Sequence, residues 1–275
     1  MVPGDETSRP GGASKRRKAN GMRGLWCVAM LAVGVAQGQE RQPGQGVNSY
    51  SKDKEIALGQ QLALDFRHKT TPLDNVAVSE YVKRVGANLA AQLPGGWTYQ
   101  IETIREDPGG ATHEPTAFPG GFIFVSEGLI AAARNEAEFA GMLAHAMAHV
   151  AERHGTRLAQ AATIMPDGWV GSTMPLAMRT AQRASEREAD YVAVKAMAAA
   201  GYDPAGLASY VGRLQPPAPD TGRVLETLPD RDQRVAAIHA AIRDLPVRTY
   251  EASDEFARVQ GEVKMPVTAP TLIKK

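Results

Sequence analysis

Cysteine is almost absent from this chain of 275 residues. The single Cys27 sits in an apolar stretch near the N-terminus, and apolar residues follow it rather than precede it, which argues against a lipoprotein acceptor. Beyond that stretch the chain has no thiol. Disulfides, a thiol nucleophile and a cysteine-ligated metal are therefore excluded there. A long hydrophobic run is missing too: Leu25 to Ala36 stops short of the ~20 residues a membrane helix needs. Charge of one sign is also lacking. The 31 basic and 30 acidic residues give a net +1, and six basic against two acidic residues fall within 1–38, so the remainder is mildly acidic. Such a body gives no reason to expect nucleic acid as a partner.

The N-terminus has the order of a secretory signal. Lys15-Arg16-Arg17-Lys18 and Arg23 form a basic region, Leu25 to Ala36 the apolar region, and Ala36-Gln37-Gly38 a small-residue cleavage point before Gln39. Met22 is the more usual start, since the apolar region then follows closely. The expectation is a signal over 1–38 and a periplasmic or secreted product with no transmembrane span in the mature chain. The rival reading is a membrane anchor over residues 25–36.

Residues 39–51 are rich in Gly, Gln and Pro and read as a linker. The domain is expected over 52–246, with a C-terminal extension over 247–275. Apolar residues at helical spacing predict a helix from Lys52 to Arg67, and Asp74 or Asn75 caps a second through Val78, Tyr81, Val82, Val85 and Leu89. Trp97 to Arg105 and Phe122 to Val125 read as strands, Asp107 to Pro115 as a loop and Glu127 to Ala133 as a short helix. Asn135 caps the next helix, with Glu138 at the capping-box position, and Gly155 is placed to end it. Further helices are expected over about Gln182 to Ala200, from Asp203-Pro204 to Leu214, and from Asp230 to Arg243. The fold class is α+β, mainly helical, with a small sheet beside one central helix.

That central helix carries the chemistry. His145 and His149 stand four apart and share one helix face, so both imidazoles can point at one ion. Two imidazoles alone do not hold catalytic zinc; a third ligand and an open position complete the usual set. Glu186 can supply the third ligand from a second helix, and Asp190, on the same face, can accept a hydrogen bond from a ligand imidazole. Met142, Leu143 and Met147 bury the helix, and buried imidazoles need partners. Glu152 lies almost a turn beyond His149 and reads as a salt-bridge residue, while His154 reads as packing or hydrogen-bonding rather than ligating.

The runs Phe118-Pro119-Gly120-Gly121-Phe122-Ile123-Phe124-Val125, Asn135-Glu136-Ala137-Glu138, Arg153-His154-Gly155, Arg183 with Glu186, Glu188, Ala189 and Asp190, and Ala200-Gly201-Tyr202-Asp203-Pro204 resemble one family in order and spacing. It is that of the HtpX/BepA/Oma-type gluzincin zinc metallopeptidases, metallopeptidase family forty-eight, and the likeness covers roughly Lys52 to Val263. The resemblance implies a zincin-like domain with Zn2+ on His145, His149 and Glu186, and Asp190 and Arg183 in support. It also implies a role in handling misfolded or unfolded envelope proteins. Gly120, Gly121, Phe122 and Ile123 would lead into an edge strand on which a polypeptide substrate adds as a further strand.

Two family residues are lacking. The motif is His-Glu-x-x-His, and its glutamate takes a proton from the attacking water and delivers it to the leaving amine. Ala146 occupies that position and has no group for either step. Downstream, Thr227-Leu228-Pro229 stands where relatives commonly have Thr-His-Pro, with Arg234 following. Three functions compete: a zinc endopeptidase with strongly reduced turnover, a zinc-binding pseudoprotease that holds polypeptide chains, and a metal-free relative acting through contacts. Whether Ala146 is engineered or natural stays open, and Leu228 favours natural.

Overall fold

Capping side chains set the first helices. In the computed structural model, which describes residues 48–108, 110, 113–163, 176–216, 228–251 and 253–263, Ser51 accepts a hydrogen bond from the Lys54 backbone and opens α1, Lys52–Arg67. Asn75, not Asp74, caps α2, Val76–Ala90, by accepting from the Val78 amide at 3.1 Å. The apolar residues that predicted α2 form its buried face: Val78, Tyr81, Val82, Val85 and Leu89. The expected signal over 1–38 and residues 39–47 of the expected linker lie outside the described residues, as does Thr227.

The sheet has three strands among the described residues: β1, Gln100–Ile104; β2, Thr116–Phe118; and β3, Phe122–Ser126, in the order β1-β3-β2. β1 runs parallel to β3 and β2 antiparallel to it, with Ala117 opposite Ile123. The sequence reading lacks β2, because three residues are too few to show an alternation. Pro119–Gly121 joins β2 to β3 in a tight turn in which Gly120 has φ 80° and Gly121 φ 103°. A side chain is excluded there on a second count: a Cβ on Gly120 would lie 2.6 Å from the Ile56 Cα, and one on Gly121 2.2 Å from the Thr98 carbonyl oxygen.

Ser126 caps α3, Glu127–Ala132, and Asn135 caps α4, Glu136–Ala151, accepting from the Glu138 amide at 2.9 Å. The reciprocal half of the expected capping box is displaced. The buried Glu138 carboxylate accepts from the Arg134 amide at 2.8 Å instead, because it also pairs with Arg213 and accepts from the Ser209 hydroxyl. α4 ends before Gly155. Arg153 makes the turn at φ 59°, held by Glu55 of α1 at 2.9 Å and by the Tyr50 carbonyl, and Gly155 lies inside α5, His154–Thr163.

α6, Leu176–Ala200, begins earlier than periodicity suggested and stops at Gly201, φ 88°. Then follow α7, Ala205–Leu214; α8, Arg231–Arg243, capped by Asp230; and α9, Asp254–Glu262, a helix the sequence reading did not contain. α9 inserts Phe256 and Val259 into the core, Phe256 stacking on Phe139 at 5.6 Å. The architecture is mainly helical with one small sheet. α4 runs through its middle, packed against α6, α7, α2 and β2, and nearly all of its side chains are buried. No helix of the described residues is long and apolar enough to cross a membrane.

Candidate metal centre

Helical spacing on α4 stacks His145 one turn above His149, and α6 runs alongside and brings Glu186 to both. His145 Nε2 lies 3.1 Å from His149 Nε2. Glu186 Oε2 lies 3.3 Å from the first and 3.6 Å from the second. The Glu186 oxygen is buried and accepts no hydrogen bond. An ion with nitrogen and oxygen bonds of about 2.0–2.1 Å in a tetrahedron needs ligand atoms about 3.3 Å apart. The three separations bracket that value, so the donor set fits a metal ion on size and on chemistry: two imidazoles and a carboxylate, converging at one point.

The His145 side is closed and charged. Asp190 Oδ1 lies 2.9 Å from His145 Nδ1. An ionised carboxylate only accepts, so Nδ1 carries a proton, and Nε2 is the nitrogen turned to the centre, which must give up its own proton for a metal to bind. Asp190 is gripped by Arg234 of α8, Nε to Oδ2 at 2.6 Å and Nη2 to Oδ1 at 2.8 Å. Arg234 in turn donates through Nη1 to Gln215 Oε1 at 3.0 Å, and Gln215 donates to the Pro229 carbonyl at 2.8 Å. Arg234 is 1 % exposed, and Glu114 stands 3.9 Å from its Nη1. The sequence reading noted Arg234 only as a residue of its helix. Its partner lies 44 residues away in the chain, and no local pattern links the two. Arg183, expected in support, sits half-buried one turn before Glu186 on α6, and Arg234 is a cation that reaches Asp190.

Charge coupling shifts these groups strongly. Burial works to lower the His145 pKa, but the carboxylates of Asp190 and Glu186 outweigh it and push it up to about 9. Burial works to raise Asp190, but the Arg234 charge and its hydrogen bonds, with His145, hold it below the usual carboxylate range. Burial opposes ionisation of Glu186 too, and the two imidazoles beside it overcome that and hold it well below that range. The carboxylates are thus ionised, the form a cation requires.

The His149 side is more open. His149 is half-buried, and a shallow cleft lined by Ala117, Phe118, Pro119, His149 and Arg153 adjoins it. His149 Nδ1 lies 3.0 Å from His154 Nδ1, and His154 Nε2 lies 3.0 Å from Glu188 Oε2. Arg157 Nη2 donates to the same Glu188 oxygen at 3.1 Å. His154 is buried, and burial lowers its pKa to about 4. It hydrogen-bonds, as expected, while Glu188 entered the sequence reading only as a motif letter.

The expected substrate strand needs correction. Phe122 and Ile123 lie on β3, which is bonded to β1 on one side and β2 on the other, so β3 has no free edge for an added strand. Gly120 and Gly121 are buried in the turn before it. The strand beside His149 is β2, paired only with β3 among the described residues. At position 146 the structure holds a buried methyl group, 4 % exposed. Leu228 is half-buried ahead of α8 and brings no polar atom to the site.

Comparison with known proteins gives one family. The sequence profile described as Peptidase family M48 matches residues 72–170 and 167–242, more than half of the chain. A protein named beta-barrel assembly-enhancing protease from Yersinia pestis is 23% identical over 209 residues, 66% of this chain and 42% of that protein. The protein of the same name from Escherichia coli (strain K12) is 21% identical over 260 residues, covering 83% and 53% respectively. A putative beta-barrel assembly-enhancing protease from Vibrio cholerae is 26% identical over 187 residues, covering 59% and 38%. The chain thus spans about half the length of these relatives, or less.

Proposed function

The chain belongs to peptidase family M48, and from that premise we propose that it is a zinc-binding, zincin-like protein of the cell envelope that holds unfolded or misfolded polypeptides and hydrolyses them slowly or not at all. The supporting observation is the convergence of His145 Nε2, His149 Nε2 and Glu186 Oε2 at 3.1, 3.3 and 3.6 Å, the spacing of three corners of a zinc tetrahedron. When bound, zinc supplies a Lewis acid that polarises a peptide carbonyl and acidifies water. His145, His149 and Glu186 hold it, and Asp190 fixes the His145 ring. An extended chain pairs with the outer edge of β2, which brings its backbone past His149. Ala146 then fails at the step a glutamate performs, because a methyl group neither removes a proton from water nor returns one to the departing amine.

The relatives are named beta-barrel assembly-enhancing proteases, and that name together with the signal-like residues 1–38 supports an envelope location, while unfolded clients are what the family resemblance implies. The test is zinc analysis of the purified chain together with digestion of an unfolded protein such as casein, run beside Ala146→Glu. About one zinc per chain, client binding and near-zero turnover support the reading. A chain without zinc, or one that digests casein readily without the Ala146→Glu change, overturns it.

A further inference from the structure

The two imidazoles at the centre are oriented by different chemistry. His145 donates to a carboxylate, Asp190 at 2.9 Å, whereas His149 faces a third imidazole, His154, Nδ1 to Nδ1 at 3.0 Å. Two Nδ1 atoms at that distance require one proton between them, and the groups on either side of the pair limit which ring carries it. Glu188 Oε2, with Arg157 at 3.1 Å, is an ionised acceptor and has no hydrogen to give. His154 Nε2, 3.0 Å from that oxygen, must therefore be the protonated nitrogen. A metal ligand must offer a bare Nε2, so with an ion in place the His149 proton sits on Nδ1, and His154 Nδ1 is the bare acceptor that receives it. That leaves the His149 Nε2 lone pair facing the centre, where His145 Nε2 joins it once a metal displaces its proton.

We infer that His154 is a positioning residue, which fixes the tautomer and the ring plane of His149 so that its Nε2 presents a lone pair to the metal, and that Glu188, braced by Arg157, fixes His154 in the same way. The chain Arg157–Glu188–His154–His149 does for one ligand what Arg234–Asp190 does for the other. The difference is the last acceptor. A neutral imidazole withdraws less proton density than a carboxylate, so His149 is the weaker electron donor of the two rings and His154 the sensitive point of the site. His154 is 4 % exposed and its ring lies edge-on to His149 at 4.8 Å between centroids, so the contact is sheltered from competing water. This inference rests on the metal reading above and extends it to residues outside the ligand set.

The experiment uses the full chain labelled with 15N-histidine. Six histidines make assignment of the ring nitrogens tractable. In the unsubstituted protein with zinc bound, His149 should show a protonated Nδ1 and His154 a protonated Nε2 with a bare Nδ1. The opposite tautomer at either ring overturns the inference without recourse to any variant. His154→Phe, which retains the ring volume and removes the acceptor, should weaken zinc binding by about 10–100-fold in a chelator competition. His154→Asn, whose amide oxygen falls near the Nδ1 position, should recover most of that loss, which a merely packing role would not do. If the unsubstituted chain binds zinc and His154→Phe binds it equally well, the inference fails while the metal reading stands. If the unsubstituted chain binds no zinc, both fail together.

Discussion

Two parts of one centre differ in kind. The part that would hold an ion is dense with directed polar groups: three converging ligand atoms, a carboxylate–guanidinium pair behind His145, and an imidazole–carboxylate–guanidinium chain behind His149. The position that would move a proton is aliphatic, Ala146 on α4. Holding Asp190, Arg234, His145 and Glu186 in the interior is expensive, because each charge loses its hydration and recovers it only through a partner of good geometry. A hydrophobic cluster of like volume would serve packing as well or better. The polar half therefore points to a ligand, and the aliphatic half carries the proposal that the chemistry stops at binding. The lesson is that ligand geometry and proton transfer are separable properties of a metallopeptidase site.

The strongest way to break the contrast is to supply the missing proton acceptor. Ala146→Glu places a carboxylate on α4 beside His145, and turnover of an unfolded substrate should rise by roughly 10²–10⁴-fold, the usual worth of a positioned general base. Progress curves on casein, with zinc content equal in both proteins, decide it. No rise would move the deficit to Leu228, and the paired change with Leu228→His is then the comparison to make.

The contrast is sharpened from the other side by removing Arg234. Arg234→Ala leaves Asp190 buried with the His145 hydrogen bond but without its guanidinium partner, and the expected cost is about 3–5 kcal/mol of stability. Denaturant unfolding of the zinc-free proteins measures it. A loss below about 1 kcal/mol would mean that Asp190 finds water or another donor, and that the cluster is less dry than its burial suggests.

Much of this was legible in the sequence, and the pattern of what was not is physical. α1 and α2 were readable because periodicity and a capping side chain agree locally, at Ser51 and Asn75. The cluster of His145, His149 and Glu186 was readable because helical spacing alone aligns His145 with His149, and motif order supplied Glu186 and Asp190. The start of α5 was hidden, since Gly155 carries a local stop signal while the real break is Arg153, held in a left-handed conformation by Glu55 from a distant helix. β2 was too short to alternate, and without it β3 read as an edge. α9 was hidden because its two core residues, Phe256 and Val259, lie among polar neighbours. Arg234 and His154 were visible as residues, but their roles depend on partners brought together only by folding.

Glu186→Gln tests the ligand half directly. An amide retains the volume and loses the charge, so zinc affinity should fall by more than about 100-fold, beyond the range typical of an outer partner. Asp190→Asn should fall within that range, about 10–100-fold, because it weakens the orientation of His145 without removing a ligand. Equal losses in the two variants would erase the distinction between ligand and support on this side of the centre. Unchanged zinc content in the Glu186 variant would remove Glu186 from the ligand set altogether.

The smallest expected effect lies at the far end of the same helix and asks whether the centre depends on its scaffold or only on its own partners. Asn135 caps α4 by accepting from the Glu138 amide at 2.9 Å, about two and a half turns before His145. Asn135→Ala removes that acceptor and should cost about 1 kcal/mol, the usual worth of an N-cap, which lowers Tm by about 2–4 °C in a chain of this size. Zinc affinity should not change. Glu138 is tied to Arg213 and Ser209, and His145 to Asp190, so the helix is pinned independently at both places and fraying of the first turn has no route to the ligands. A thermal shift with unaltered zinc affinity is the outcome that this pinning requires. A parallel loss of zinc would mean that the helix moves as one rigid rod and that its register, rather than the hydrogen bonds behind each imidazole, sets the ligand geometry.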